Sequence, residues 1–152
     1  YYTSFTSSDG TQNYQFGDIL IYKINSAGKM EWLTPIRCHQ HHNVKINHGS
    51  FAGYWNGNQY FIIFGDRLAH YENDGKYHHD YSKTPSNIQY CVAQVVLDLN
   101  TGQYKRSILL KKDKLDNLVA MPTRFVSNYS HSSWILYFNQ KKNELFGIMK
   151  FN

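Results

Sequence analysis

Cys38, His39 and His41 crowd into one short run, with Gln40 and His42 beside them and His48 close by. Thiolate and imidazole are good zinc ligands, and on an extended chain residues two apart share a face. His39 and His41 therefore point together while His42 points away, which makes Cys38, His39 and His41 the candidate metal set. Structural zinc sites separate two ligand pairs by a defined intervening element, and that spacing is absent here. A polar loop is the plainer reading, zinc the alternative, and no bound cofactor is expected.

A second group of chemical side chains follows Asp66-Arg67: His70, Glu72, Asp74, then Tyr77-His78-His79-Asp80-Tyr81. A neighbouring His and Asp suit proton transfer, although sequence neighbours seldom aim at one substrate atom. Glycosidases need two carboxylates at a set separation, which linear order leaves open. Asp66, Asp74, His78, His79 and Asp80 would be the working residues of a glycan-processing or metal-dependent hydrolase. Exposed turn carboxylates are the plainer explanation of the acidic members. No nucleophile in a Gly-x-Ser-x-Gly setting, phosphate loop or dinucleotide fingerprint occurs. Trp32, Trp55 and Trp134 each lie in or beside an apolar run, so burial between sheets is expected of them. Trp55, next to Asn56-Gly57-Asn58, is the expected exception that faces solvent. As groups borne on loops, Trp55, Asp66, Arg67, His70, Tyr77, His78 and Tyr81 form the candidate ligand contacts.

These residues have to be held by the segments between them, and those segments repeat. Gly17 to Ile24, the turn Asn25-Ser26-Ala27-Gly28 and Met30 to Ile36 read as two strands and a hairpin loop. Val92 to Leu99, Asn100-Thr101-Gly102 and Tyr104 to Leu110 echo them. Gln59-Tyr60-Phe61-Ile62-Ile63-Phe64 aligns with Ser133-Trp134-Ile135-Leu136-Tyr137-Phe138, and Tyr2-Thr3-Ser4-Phe5 is expected in the same slot of the first unit. Ile19 and Ile21 point one way and Leu20, Tyr22 and Ile24 the other, as in a strand between stacked sheets. Ser7 to Gln15 and Arg37 to Asn47 read as polar connectors, and Gly65 to Asn87 as a long excursion.

The chain is therefore expected to be all-β and β-propeller-like, with about two and a half four-stranded antiparallel blades. The boundaries fall at a partial blade over 1–37, a full blade over 48–111 and a partial blade over 118–152. A β-sandwich is the rival architecture. Two and a half blades close no ring, so the remaining blades of a longer protein, or another copy of the chain, are expected to cover the open ends. An opening Tyr-Tyr fits a removed leader or a start inside a larger polypeptide.

The 152 residues include 13 Tyr, 9 Phe and 3 Trp, and such aromatic richness suits half-buried pleated surfaces. A formal charge of +5 is scattered over short runs, Lys105-Arg106, Lys111-Lys112 with Lys114, and Lys141-Lys142. Scattered charge reads as solvated surface and weighs against nucleic acid as a partner. No apolar run is long enough for a membrane helix. Cys38 and Cys91 are the two cysteines, in no CxxC pair, and leave the compartment and their pairing open.

The runs Gly17 to Ile24, Gly28 to Ile36, Gly49-Ser50-Phe51 and Tyr60 to Asp66 resemble a group of uncharacterised Bacteroidetes β-propeller-like proteins over roughly the first half of the chain. Such relatives carry Lys and Gln after the Trp-bearing strand and Asn before the Asp, where this chain has Arg37, Gln40 and Gly65. The resemblance implies a propeller-like fold and a periplasmic or extracellular location. It brings no activity and no catalytic residue. The functional expectation is a non-enzymatic binding or scaffold module that presents loops to a protein or glycan partner. The alternatives are the hydrolase above and a purely structural assembly segment.

Overall fold

The computed structural model describes residues 2–10, 12–38, 40–43, 50–71, 77–78, 90–111, 119–120, 122–127, 133–140 and 143–150. They form antiparallel sheets of two to four strands. Strands β1 (Tyr2–Thr6), β2 (Gln12–Phe16) and β5 (Gln40–Asn43) make one sheet in the order β1-β2-β5. Strands β3 (Ile19–Ile24) and β4 (Met30–Ile36) make a hairpin of their own. The central sheet is a meander of β6 (Phe51–Asn56), β7 (Gln59–Arg67), β8 (Tyr90–Asp98) and β9 (Tyr104–Leu110). In the last sheet β12 (Ser133–Gln140) pairs with β10 (Val119–Ala120), β11 (Val126–Ser127) and β13 (Asn143–Lys150). Two 3-10 turns, Leu68–Tyr71 and Pro122–Arg124, complete the regular structure.

The central sheet forms because β7 and β8 are apolar on both faces, and each face finds a separate partner. Ile62, Phe64, Cys91, Ala93 and Val95 turn one way and share a core with Ile19, Ile36 and Cys38 of the β3–β4 hairpin and its exit. Ile63 and Val92 turn the other way and, with Tyr54 of β6, pack on Ala120, Trp134, Leu136 and Phe138. Strand periodicity of two separates the sets without conflict. Tyr54 anchors the second core through rings, 4.8 Å from Phe61 and 5.6 Å from Trp134 between centroids. The hairpin turns are set by glycine, with Gly28, Gly57 and Gly102 at φ of 76°, 58° and 71°.

Sequence reading and structure differ at the polar segments. Gln12–Phe16 overlaps, and Gln40–Asn43 lies within, stretches expected to be connectors, yet they pair as strands, Phe16 opposite Gln40. Their order comes from backbone pairing within a small sheet, with β2 between β1 and β5, rather than from an apolar stripe, so no periodicity announces it. The strand β1 pairs with β2 and not with β3, so Tyr2 to Phe5 does not take the slot equivalent to β7. Between β10 and β11 the chain makes the 3-10 turn Pro122–Arg124, where Pro122 has no N–H to give to a ladder. Among the described residues the sheets close into no ring.

The β8–β9 turn also locks onto the first hairpin. Thr34 Oγ1 donates to Gly102 O at 2.6 Å, and a Cβ on Gly102 would sit 2.7 Å from the Trp32 ring. Gly102 is thus required twice, for its left-handed backbone and for the ring above it. Gly102→Ala is expected to cost about 1–3 kcal/mol and lower the thermal midpoint by several degrees. A midpoint within one degree of wild type by calorimetry would show the seam tolerates displacement there.

Candidate functional site

Asp66 ends β7, where the strand bends into the 3-10 turn Leu68–Tyr71. The bend is capped by Asp66 itself, whose Oδ1 accepts the Arg67 N–H at 2.8 Å. One turn on, His70 Nδ1 lies 2.9 Å from Oδ1 and the Tyr71 hydroxyl donates to Oδ2 at 2.7 Å. An ionised carboxylate only accepts, so His70 Nδ1 carries the proton. From β9, two strands away, Arg106 reaches the same carboxylate: Nη2 donates to Asp66 Oδ2, Nε to Tyr71 Oη at 2.6 Å, and Nη1 to the Arg37 carbonyl at the exit of β4. The Tyr77 ring lies 3.7 Å from the guanidinium carbon, and edge-on to His70.

The polar side chains of this knot are sealed, with side-chain exposures of 0% for Asp66, 5% for Arg106 and 7% for His70. Burial pushes the Asp66 carboxyl up, but the His70 hydrogen bond and the Arg106 charge outweigh it and hold the group below its ordinary value. Burial pushes the Tyr71 hydroxyl up, and the Asp66 charge adds to it. The guanidinium is opposed by burial and favoured by Asp66, and its acidity falls on balance. A general acid or base must reach a substrate proton, and no substrate reaches a carboxylate with no exposed surface. The knot is a clamp between sheets. It ties the end of β7, its turn, β9 and the exit of β4 in one hydrogen-bonded unit.

Cys38 and Cys91 are buried free thiols in the core beside the clamp. Burial first, and the Asp66 charge second, push each up to about 12, so both stay protonated at neutral pH. A zinc ligand has to be the thiolate, and Cys38 is poorly suited to that task. His39 lies outside the described residues. His41 is placed as a β5 residue opposite Gln15. Among the described residues no group of three or more His, Cys, Asp or Glu is arranged to hold a metal ion. No helix there is long and apolar enough to cross a membrane.

The other expected contacts scatter. Trp55 is 67% exposed, its ring 4.9 Å from that of Tyr60, while Trp134 is buried. Asp66 and His70, read from the sequence as loop groups, are core groups, because β7 runs on to Arg67 and the turn folds them inward. Arg67 is half-buried, Tyr77 covers Arg106, and His78 is exposed with its N–H bonded to His70 O at 2.7 Å. Asp74, His79, Asp80 and Tyr81 lie outside the described residues. Arg106, read as part of a surface basic run, is the functional residue sequence reasoning missed. It shares the strand parity of Ile108, which packs against the first core, and that parity was the available signal.

A cleft of about 510 Å³ opens beside the clamp, lined by Phe16, Asp18, Ile19, Leu20, Ser50 and Phe51 among others. Asp18 on its wall bonds Arg37 Nη1 at 2.8 Å and the Cys38 N–H at 3.2 Å. Gln40 Nε2 donates to Gly65 O at 2.7 Å and ties β5 to the central sheet.

No protein-family model, curated protein or solved structure matches this chain.

Since the folded-state acidity of Asp66 is enhanced, its contribution is complete above the unfolded carboxyl value of about 4 and is lost as pH falls through the folded one. Asp66→Asn, which leaves Arg106 buried and unpaired, should cost about 3–5 kcal/mol at pH 7. Urea denaturation should show the gap between wild type and variant narrowing below about pH 4. A gap independent of pH would assign the loss to packing alone.

Proposed function

We propose that this chain is a non-enzymatic binding scaffold, a segment of a β-propeller whose sheets stack in one sense and whose loops face a protein or glycan partner. Support comes from the correspondence of two hairpins. Asn25 N donates to Lys29 O and Gly28 N to Asn25 O; Asp98 N donates to Gln103 O and Gly102 N to Asp98 O. Asn25 Oδ1 accepts from Ala27 and Lys29, and Asp98 Oδ1 from Asn100 and Thr101. Asn25 thus corresponds to Asp98, and counting back, Leu20, Tyr22 and Ile24 correspond to Ala93, Val95 and Leu97.

That correspondence carries the reading. Ala93, Val95 and Leu97 are 0% exposed, the first two packed with Ile19 and Ile36 of the preceding hairpin, whereas Leu20, Tyr22 and Ile24 are 52–62% exposed. Ile19 faces the central sheet just as its counterpart Val92 faces the last one. Likewise Trp134, Leu136 and Phe138 of β12 turn to the sheet before them, as Tyr60, Ile62 and Phe64 of β7 do. Each sheet therefore has a backward and a forward face. A backward face is bare on β3–β4, and a forward face, Ile135, Phe146 and Ile148, is bare on β12–β13. Contiguous exposed apolar surface marks an interaction site. Further blades, or another copy of the chain, complete both ends, and the exported setting implied by the resemblance belongs to the same proposal. With the clamp residues enclosed, a binding role is favoured over a hydrolytic one.

Sedimentation velocity on the isolated chain tests this. Wild type should self-associate as concentration rises through the micromolar range, and Phe146→Glu with Ile148→Glu should return it to monomer without loss of the far-UV circular dichroism. A wild type that stays monomeric throughout would contradict the stacking.

A further inference from the structure

The core between the central and last sheets is filled as far as Ile63 and Val92, which pack with Ala120, Trp134 and Phe138. Gly65 and Arg67 continue the Ile63 face of β7, because residues two apart on a strand share a face. Gly65 stands opposite Val92, and Arg67 opposite Tyr90. Gly65 is buried, yet a Cβ built on it would meet nothing within 4 Å. Its φ lies outside the left-handed region that the turn glycines occupy. Neither crowding nor backbone conformation therefore calls for glycine here. What the missing side chain leaves is room, at the point where the apolar filling stops.

Arg67 borders that room, and its bonding is the reverse of that of Arg106. Arg106 gives Nε, Nη1 and Nη2 each a partner, whereas Arg67 Nε is buried with none among the described residues. Asp66, the adjacent carboxylate, belongs to the clamp on the opposite face of the strand. A buried N–H on a cation is costly without an acceptor, and an anion answers both the charge and the open donor. Water would satisfy the N–H alone. Burial pushes the Tyr90 hydroxyl up and the Arg67 charge draws it part of the way back, so phenol and guanidinium share these surroundings.

We propose that the space over Gly65 is a binding site for one carboxylate group, held by the Arg67 guanidinium. A carboxylate is planar and accepts two parallel N–H bonds, from Nε and a neighbouring Nη, which a spherical ion does not. Tyr90, across the ladder on the same face, closes the side towards β8. Arg67 is half-buried, so the group reaches it from solvent. The site is built on β7 and β8 and is independent of any stacking at the outer faces.

The probe is acetate, read at the Nε–Hε signals of the four arginines by nitrogen–proton correlation NMR on the whole chain. Sodium acetate replaces sodium chloride at constant ionic strength, and Arg67→Gln identifies the Arg67 signal by its loss. That signal should shift and saturate with Kd on the order of 1–10 mM, while the Arg106 signal stays in place. Gly65→Ala fills the space without a clash, so its thermal midpoint should hold while acetate binds about fivefold more weakly or worse. N-acetylaspartate methylamide and methyl glucuronide then tell whether a peptide or a sugar carries the group, by which binds tighter than acetate. Tighter binding of neither assigns the site to a free small acid. A shift linear in acetate, or no larger than those of Arg37 and Arg124, would overturn the proposal and leave water in the space. So would undiminished binding by Gly65→Ala, or a fall in its midpoint of more than about two degrees, since the space would then not exist.

Discussion

Asp66 is a carboxylate without exposed surface, and the arrangement around it is what the stacked sheets depend on. Taking such a charge out of water costs several kcal/mol unless it is paired and fully hydrogen-bonded. Here Arg106, Tyr71, His70 and the Arg67 N–H supply the bonds, and Arg106 also donates from Nη1 to the Arg37 carbonyl. The last bond matters most for architecture. It carries the charge pair out of the central sheet and into the chain leaving the first hairpin.

Hydrophobic contact alone would let two sheets slide, since apolar burial is non-directional. The clamp is directional, and it sits at one end of the seam. Thr34 on Gly102 fixes the seam at the β8–β9 turn. Between them Ile19, Ile36, Ile62, Phe64, Ala93 and Val95 fill the space. The second seam relies on rings instead, with Tyr54, Phe125 and Trp134 in contact. One polar and one aromatic seam join three layers whose outer faces stay bare.

Much of this was legible in the sequence where side chains alternate. The central meander from Phe51 to Leu110 shows in its apolar runs and in Asn56-Gly57-Asn58 and Asn100-Thr101-Gly102, because turn chemistry and period are local properties. The strands Gln12–Phe16 and Gln40–Asn43 were not, since pairing through the backbone leaves no apolar stripe to read. The clamp was half legible. Asp66 continues the parity of Ile62 and Phe64, and Arg106 that of Ile108, so both were marked as inward-facing. Their meeting across an intervening strand is a property of the meander, which no linear spacing reveals.

The central claim is that Asp66 and Arg106 act as one unit at the seam, and a double-mutant cycle measures it most directly. Asp66→Asn, Arg106→Met and the pair together would be compared with wild type by urea unfolding at pH 7. The account predicts a coupling energy of about 2–3 kcal/mol, with the double variant far less damaged than the two single losses combined. A coupling below about 0.5 kcal/mol would show that the two residues stabilise the sheets independently, and the clamp would not exist.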